Sequence, residues 1–529
     1  MPIAQPNPKA LREAIDRHRA GDLGSAAQLY RQLIDQDPNN ADAYQLLGVL
    51  AQQMGKAELA VQLLETAIRL QPQHATALTN LSVLLRARGE LAAANAKARA
   101  AIAANPKLAD AQAALGGALS AQQDYAGAVN AYQQAVTLAP DNYLFRNELA
   151  NILRRLGQLP EAYVSITQAL TLSPKSAILH HARGNILRAA GFADLAQAAF
   201  DEAYRFDPTQ EESALNAALC CLLRGDNTNG WPRYAQRAVA RPAGLVPWDG
   251  QAAVPLLVTA EQGLGDTLQF IRFAPLAQAC VPRLIVAVQP PLLALLEQSY
   301  PDLEFISSGA PVPEELAAHC RLLDLPQWFT VSNAPYLTAP ALAWPLPELP
   351  RPCFGLVWAG NPAHLNDANR SLTLAALAPF IAPFAPQGVS LQKGSQAAEL
   401  AVSGLPLFDG GARCVDFADT AALIMQLDLV ITVDTSVAHL AGGLGKPVWL
   451  LLPFDPDWRW QHQRRDTPWY PVMKIYRQEQ PQDWASALQQ LGDDLARFMA
   501  GEMTMLKPPA WPGAPAERAA RTVGLPGLA

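Results

Sequence analysis

The chain has 529 residues, half of them hydrophobic, and carries a formal net charge of −7 at neutral pH. At roughly 100 to 200 residues per domain, this length predicts three or four folded units. The acidic balance argues against nucleic acid as a partner, because nucleic-acid-binding surfaces are rich in Lys and Arg. Asp or Pro interrupts each apolar run before the roughly 20 residues that a membrane-crossing helix needs, so we expect no membrane span.

The N-terminal stretch MPIAQPNPKALREAIDRHRAGD has no apolar signal core and becomes amphipathic at once, which predicts a cytoplasmic protein. The six cysteines form no CxxC pair and mostly lie in apolar stretches. We therefore interpret them as small buried side chains rather than as disulfides or zinc ligands.

Three positions recur every 34 residues through the N-terminal half. In each period Gly permits the chain to reverse after one helix, Ala permits close helix packing, and Pro ends the next helix. Gln123 replaces the glycine once. The three series are Gly21, Gly55, Gly89, Gly157, Gly191 and Gly225; Ala26, Ala60, Ala94, Ala128, Ala162 and Ala196; and Pro38, Pro72, Pro106, Pro140, Pro174 and Pro208.

This period and its helix–turn–helix unit resemble the tetratricopeptide repeat. Six repeats cover roughly residues 7–210, and a degenerate pair of closing helices extends the predicted α-helical solenoid to 7–240. Repeats of this kind stack into a superhelix with a concave groove. The resemblance implies that the groove binds an extended peptide or protein. The alternative is a scaffold that dimerises or holds the neighbouring domain.

Beyond residue 250 the repeat ends, and short β-rich apolar runs alternate with helical segments. This alternation predicts parallel α/β units. The proline-rich stretch YLTAPALAWPLPELPRP separates two such groups, so we predict two doubly wound, Rossmann-like domains at 251–345 and 352–500. Ligands of such folds bind at the carboxyl ends of the strands. The segment 506–529, rich in Pro, Ala and Gly, predicts a disordered tail.

Polar turns follow three of the predicted strands. In the first, EQGLGDTLQF, Gly263 and Gly265 permit close approach of a ligand to the backbone, and Asp266 opens the next helix. An ordinary helix cap is the alternative role for this acid. In the second, VWAGNPAHLNDANRSLTL, the planar guanidinium of Arg370 suits a diphosphate. Lys393 follows the next strand and could meet a phosphate. A solvated loop is the alternative for Arg370, and an ordinary surface lysine is the alternative for Lys393.

The third turn follows the apolar strand LVITV and begins a helix. Asp434, Thr435 and Ser436 form it, and His439 lies on the first turns of that helix. Free backbone N–H groups and the positive end of a helix favour an anion such as a nucleotide diphosphate. The alternative is a capped helix that carries a core histidine.

The segment DLVITVDTSVAHLAGGLGKPVWLLL, together with EQGLGDTLQF, resembles the family 9 glycosyltransferases, the heptosyltransferase-like group with the two-domain GT-B fold. The chain is most similar to a bacterial branch in which tetratricopeptide repeats precede that module, with passages like WAGNP, NRS, SLQKG and PDWRW. The resemblance implies that Asp266 is the general base and that Arg370 stabilises the departing diphosphate. It implies that the nucleotide-sugar is gripped by Asp434, Thr435, Ser436 and His439.

The resemblance implies an inverting glycosyltransferase that uses a nucleotide-sugar donor and no other cofactor. We expect no metal, because the helix end and the basic side chains supply positive charge, and we interpret Asp455 and Asp457 as turn residues. A Ser or Thr of a protein bound in the solenoid groove is the leading acceptor. Transfer to a glycan or lipid-linked saccharide, and a catalytically silent scaffold, are the alternatives.

Overall fold

The computed structural model describes residues 8–239, 241–331, 335–341, 344–364, 366–462, 464–509 and 523–528. The chain divides into two compact units. The first contains the residues up to Ile186 and the segment from Gly524, and the second runs from Leu187 to Val523. Within the described ranges, no helix is both long enough and apolar enough to cross a membrane.

The first half of the chain is helical, and each helix from α1 to α9 packs against the next one along the chain. The helices are α1 (Pro8–Arg19), α2 (Leu23–Gln36), α3 (Ala41–Gln53), α4 (Ala57–Leu70), α5 (Ala75–Ala87), α6 (Leu91–Ala104), α7 (Ala109–Ala121), α8 (Tyr125–Leu138), α9 (Tyr143–Arg155), α10 (Leu159–Leu172), α11 (Ala177–Ala189), α12 (Ala193–Phe206), α13 (Glu211–Leu223) and α14 (Asn227–Tyr234).

The periodic residues have the roles that the sequence predicts. Helices α2 and α4 end two residues before Pro38 and Pro72, respectively. The alanine series is fully buried where helices meet. A Cβ added to Gly116, on α7, would lie 2.7 Å from the ring of Tyr132 on α8, so this helix pair also requires a residue without a side chain.

The residue that ends each first helix of a repeat adopts a left-handed backbone conformation. Its φ is +73° at Gly55, +79° at Gly89 and +75° at Gly157. Gln123 adopts the same conformation, with a φ of +65°. Because this conformation costs an L-residue about 1–2 kcal/mol, Gln123 is a strained member of a glycine series.

The boundary between the two units differs from the predicted solenoid end at residue 240. Helices α12, α13 and α14 belong to the second unit, because α14 contributes aromatic side chains to the core of the α/β region. Trp231 and Tyr234 of α14 pack there with Phe270 and Trp458. The predicted domain limits therefore separate residues that share one hydrophobic core.

The first of two sheets is parallel throughout and has the strand order β1-β5-β2-β3-β4. Arg237, just after α14, forms buried ion pairs with Glu261, which follows β2, and with Asp324, which follows β5. The elements are β1 (Val246–Pro247), β2 (Leu256–Thr259), α15 (Leu264–Phe270), α16 (Ala274–Gln278), β3 (Leu284–Val288), α17 (Leu293–Ser299), β4 (Glu304–Ser307) and β5 (Ala318–Arg321).

The second sheet is also parallel throughout, with the order β11-β10-β9-β6-β7-β8. Strands β6, β7 and β8 follow one another toward one edge of the sheet, and β9, β10 and β11 follow one another toward the other edge, as in a doubly wound sheet. The elements are β6 (Phe354–Val357), α18 (Asp367–Arg370), α19 (Leu374–Ile381), β7 (Gly388–Ser390), α20 (Ala398–Ser403), β8 (Phe408–Asp409), α21 (Phe417–Met425), β9 (Leu429–Val433), α22 (Ser436–Gly443), β10 (Val448–Leu452), β11 (Met473–Arg477) and α23 (Ala485–Met499).

The predicted disordered tail, 506–529, lies partly outside the described residues, at 510–522 and 529. Residues 523–528 differ from that prediction. The N–H of Val523 donates to the carbonyl of Ala190 at 3.0 Å, and Leu525 is 3% exposed. This part of the tail is packed because Leu525 gains by leaving water.

Gln123→Gly should stabilise the protein by about 0.5–1 kcal/mol, because glycine relieves the left-handed strain at a modest entropic cost. Urea unfolding followed by helical circular dichroism would measure the change. Gly89→Ala is the matched control in the opposite direction. An added Cβ at Gly89 meets nothing within 4 Å, so its expected destabilisation of about 1 kcal/mol reports backbone strain alone. A neutral or destabilising Gln123→Gly would contradict the strain.

Candidate functional site

The second and third predicted turns lie side by side at the edge of the second sheet. The loop from Trp358 follows β6, and the turn from Asp434 follows β9. Strands β6 and β9 are hydrogen-bonded neighbours, and the winding direction reverses between them. In doubly wound sheets this is where ligands bind.

The first predicted turn, from the other sheet, reaches the same place. Helix α15, which carries Asp266, packs directly on α22. A Cβ added to Gly265 would lie 2.9 Å from Cδ2 of His439 and 3.4 Å from Cα of Ser436. Gly265 therefore permits a close contact between helices that follow strands of two different sheets.

Asp266 caps its own helix and also forms an ion pair. Its Oδ2 accepts a hydrogen bond from the N–H of Gly263 at 2.9 Å, as an ordinary capping role requires. Its Oδ1 pairs with Arg459, which also donates to Oδ1 of Asp457 at 2.7 Å. Burial raises the pKa of Asp266 above its usual range, although the charge of Arg459 opposes the shift.

Further charged groups belong to the same cluster. Burial and the neighbouring Asp457 raise the pKa of Asp434 to about 6, against the opposing charge of Arg370. Burial, together with Arg370, lowers the pKa of His364, while Asp457 and Asp266 act in the opposite direction. Asp457 thus acts on both Asp266 and Asp434, and His364 is influenced by both Asp266 and Arg370.

Arg370 lies at the end of α18. Its guanidinium packs against the backbone of Gly360, where an added Cβ would lie 2.7 Å from Nη2. Its Nε donates to Oδ1 of Asp367 at 3.3 Å. Arg370 is thus tethered beside the β6 loop, with 15% of its side chain exposed.

His439 is buried on α22 and serves as a packing residue in this structure. Its Nδ1 bonds to the hydroxyl of Tyr470 at 2.9 Å, and its ring stacks on Trp460 with centroids 5.1 Å apart. Burial, reinforced by Arg459 and Arg272, places its pKa well below the usual range. These contacts match the core histidine that the sequence left open as the alternative.

The Nζ of Lys393 donates to the carbonyl of Cys414. The neighbouring Gln392, which the sequence analysis did not single out, holds the turn after β6 in place. Gln392 accepts hydrogen bonds from the N–H groups of Trp358 and Ala359, both at 3.0 Å. Its Nε2 donates to the carbonyls of Ala359 and Lys393. Three of these four hydrogen bonds hold the turn after β6, and the fourth goes to the adjacent Lys393.

Arg459 and Asp457 are the other residues that sequence reasoning gave no ligand role. Asp457 does form the predicted turn, since its Oδ1 accepts from the N–H of Arg459 at 3.0 Å. Asp455 instead pairs with Arg188 at 3.1 Å. The available signal was the pattern Trp-Arg-Trp, which places a charged side chain within an aromatic stretch.

The first unit contains a separate groove with a volume of about 360 Å³. It is mainly lined by residues of α3, α5 and α7, and its polar side chains are those of Gln45, Thr76, Thr79, Asn80, Arg86, Asp110 and Tyr132. Both charge signs and several amide or hydroxyl groups face it. This surface offers hydrogen bonds to an extended polar chain.

Two family models for tetratricopeptide repeats match the chain, one at residues 18–82 and the other at 113–177. The chain contains tetratricopeptide repeats. Domains of these repeats generally bind protein partners through their concave surfaces. The matched ranges lie within the first unit.

Protein FlbA of Caulobacter vibrioides is 26% identical to the chain over an alignment of 355 residues, and the match covers 58% of this chain and 59% of FlbA. The chain thus spans about three fifths of the length of this curated relative. Among solved structures, the thermophilic repeat protein TTC0263 of Thermus thermophilus is 21% identical, with 34% of this chain and 99% of that chain covered and a TM-score of 0.31. YrrB, described as a TPR protein with an unusual peptide-binding site, is 20% identical, with 35% and 96% covered and a TM-score of 0.30.

Asp434→Asn should change how stability depends on pH. The folded protein retains a proton on Asp434 up to about pH 6, whereas the unfolded chain releases it near 3.8, so stability falls as the pH rises through that window. The variant should unfold at a higher temperature than the wild type above pH 6, and the difference should vanish near pH 4. Calorimetric scans at several pH values would measure it.

Asp428→Asn provides a control of opposite sign. Burial acts to raise the pKa of Asp428, but a hydrogen bond from the N–H of Cys353 and the charge of Arg351 outweigh it and lower the pKa. Asp428 therefore stabilises the fold above its unfolded pKa, and its replacement should lower the unfolding temperature at neutral pH. Two variants that shift in the same direction would contradict this account.

Gln392→Leu should destabilise the protein by about 3 kcal/mol, because it leaves buried N–H groups of the β6 turn without acceptors. Chemical unfolding followed by tryptophan fluorescence would measure the loss. Gln387→Leu is the control, for which a smaller loss of stability is expected. Gln387 is partly exposed and makes one hydrogen bond, to the carbonyl of Pro352, so we expect a loss below about 1 kcal/mol. Equal losses would show that the turn does not depend on Gln392.

Proposed function

We propose that the second unit is a glycosyltransferase of the GT-B type, which moves a sugar from a nucleotide-sugar to an acceptor hydroxyl. One observation carries this proposal. The loops that follow β2 in one sheet and β9 in the other meet at Gly265, so Asp266 lies beside the start of α22. A donor held at the β6–β9 edge would then present its sugar to a carboxylate of the opposite lobe.

Each residue of the cluster has a task in this reaction. The acceptor oxygen forms a bond to the anomeric carbon while the bond from that carbon to the terminal phosphate oxygen breaks. The hydroxyl proton passes to Asp266, whose raised pKa makes it a stronger base than an exposed aspartate. The nucleoside diphosphate leaves with the electron pair, and Arg370 and the N-terminus of α22 stabilise its charge.

The acceptor proposed is a Ser or Thr side chain of a protein held by the tetratricopeptide repeats. The polar groove around Asn80 and Arg86 supports a protein ligand, because it offers donors and acceptors to a peptide backbone. A scaffold without catalysis is the second candidate, since the repeats alone account for partner binding. The two candidates differ in whether the second unit binds a nucleotide-sugar.

A screen of UDP-, ADP- and GDP-sugars for thermal stabilisation of the full chain tests donor binding. Under the proposal, at least one donor raises the unfolding temperature. If none does, the scaffold hypothesis replaces it.

Asp266→Asn should reduce release of nucleoside diphosphate from the stabilising donor by about 100- to 10,000-fold, the usual contribution of a general base. Binding of the donor should persist, because the base acts on the acceptor. Asp493→Asn, on the exposed face of α23, is the matched control and should leave turnover unchanged. Turnover that survives in Asp266→Asn would remove this carboxylate from the mechanism.

A further inference from the structure

Arg459 is a buried arginine shared between two carboxylates. It pairs with Asp266 of the first sheet's loop and with Asp457 of its own loop, at 2.7 Å for the latter. Its side chain is 8% exposed, and within the described residues its Nε has no hydrogen-bond partner. The guanidinium thus has donor capacity that its protein partners do not fill.

The two cations predicted from sequence are bonded to groups other than Asp266. Arg370 is tethered to Asp367, and Lys393 donates to the carbonyl of Cys414. Arg459, in contrast, contacts Asp266 directly. Its charge also opposes the rise in the pKa of Asp266, which shows that the two groups act on each other.

The backbone of Arg459 is held in place from several sides. Its carbonyl accepts a hydrogen bond from Nε1 of Trp469 at 2.9 Å. The preceding Trp458 packs edge-on against Trp231 of α14, with centroids 5.3 Å apart. A change of partner for Arg459 therefore requires rotation of a long side chain and no movement of the loop.

We propose that Arg459 gives up its ion pair with Asp266 when the donor binds and pairs with the diphosphate of the donor instead. The inference rests on the proposed function. A planar guanidinium makes bidentate contacts to phosphate, and a diphosphate carries more charge than one carboxylate. When the donor binds, Arg459 turns to the diphosphate, and Asp266 is released from its ion pair to accept the proton of the acceptor. Arg459 thereby couples donor binding to the availability of the base.

The exchange makes a prediction that a purely structural ion pair does not. Asp266→Asn removes the competitor for Arg459, so the full chain should bind nucleoside diphosphate more tightly, by about 5- to 10-fold. Arg459→Gln should weaken binding by about 10-fold or more, because a charge-assisted contact is lost. In the double variant the tightening should disappear. Calorimetric titration with UDP, ADP and GDP measures each affinity.

Two further variants make the test independent of folding defects. Asp457→Asn removes the charge of the second carboxylate that pairs with Arg459, so it should also tighten binding. Arg413→Gln removes an exposed charge from the same lobe and should leave binding unchanged. Thermal unfolding would confirm that each variant is folded. Binding that is unchanged or weaker in both Asp266→Asn and Asp457→Asn would overturn the exchange alone. If no form of the protein, including the wild type, binds a nucleoside diphosphate, the proposed function fails as well.

Discussion

The candidate site depends on the close approach of two short helices, α15 and α22. Gly265 makes this approach possible, because a side chain there would overlap the ring of His439. The ring of His439 is held by a hydrogen bond to Tyr470 and by stacking on Trp460, so it cannot readily move aside. The geometry of the Asp266 cluster therefore follows from one packing constraint at the junction of two sheets.

Charge balance then sets the chemistry of the cluster. Asp266 and Asp457 both pair with Arg459, Arg370 acts on Asp434, and the charge of Asp457 makes ionisation of Asp266 and of Asp434 harder. Burial is the main cause of the raised pKa values of Asp266 and Asp434, and the charges of the arginines offset it only in part. An incoming diphosphate would add negative charge to this cluster, so the arginines would have to be redistributed. Binding of an anion to this cluster would therefore change both its ion pairs and the protonation of its carboxylates.

The repeats were predictable from sequence because each one is a local unit whose turn, packing and stop residues recur at a fixed spacing. Even the exception, Gln123, keeps the left-handed conformation of the series. The long apolar strands were also predictable, but β1 and β8 have two residues each and give no pattern. The strand β11 was missed because Lys474 interrupts its apolar pattern, and the structure pairs that lysine with Asp494 at 2.6 Å.

The residues of the candidate site also divide into those that the sequence indicates and those that it does not. The sequence indicated Asp434, directly after β9, and Asp266, on the helix that follows β2, because the ends of strands are where doubly wound sheets bind ligands. Arg459 was not indicated, because it reaches Asp266 across 193 positions of sequence and lies in a loop whose course no local pattern fixes. The predicted end of the solenoid at residue 240 differs from the boundary between the two compact units for a related reason. A helix such as α14 looks like the last repeat in sequence, while its aromatic residues are buried only by tertiary packing.

Helix α14 supports both loops that form the ion pair between the lobes. Tyr234 accepts a hydrogen bond from Gln262, four residues before Asp266, and Trp231 packs on Trp458, next to Arg459. Because Trp231 and Tyr234 are 4% and 2% exposed, a chain cut at the end of the predicted solenoid would leave large apolar surfaces uncovered. The α/β region therefore needs α14 for its core and for the placement of Asp266 against Arg459. In this protein the closing helices of the repeat region are structural parts of the candidate site.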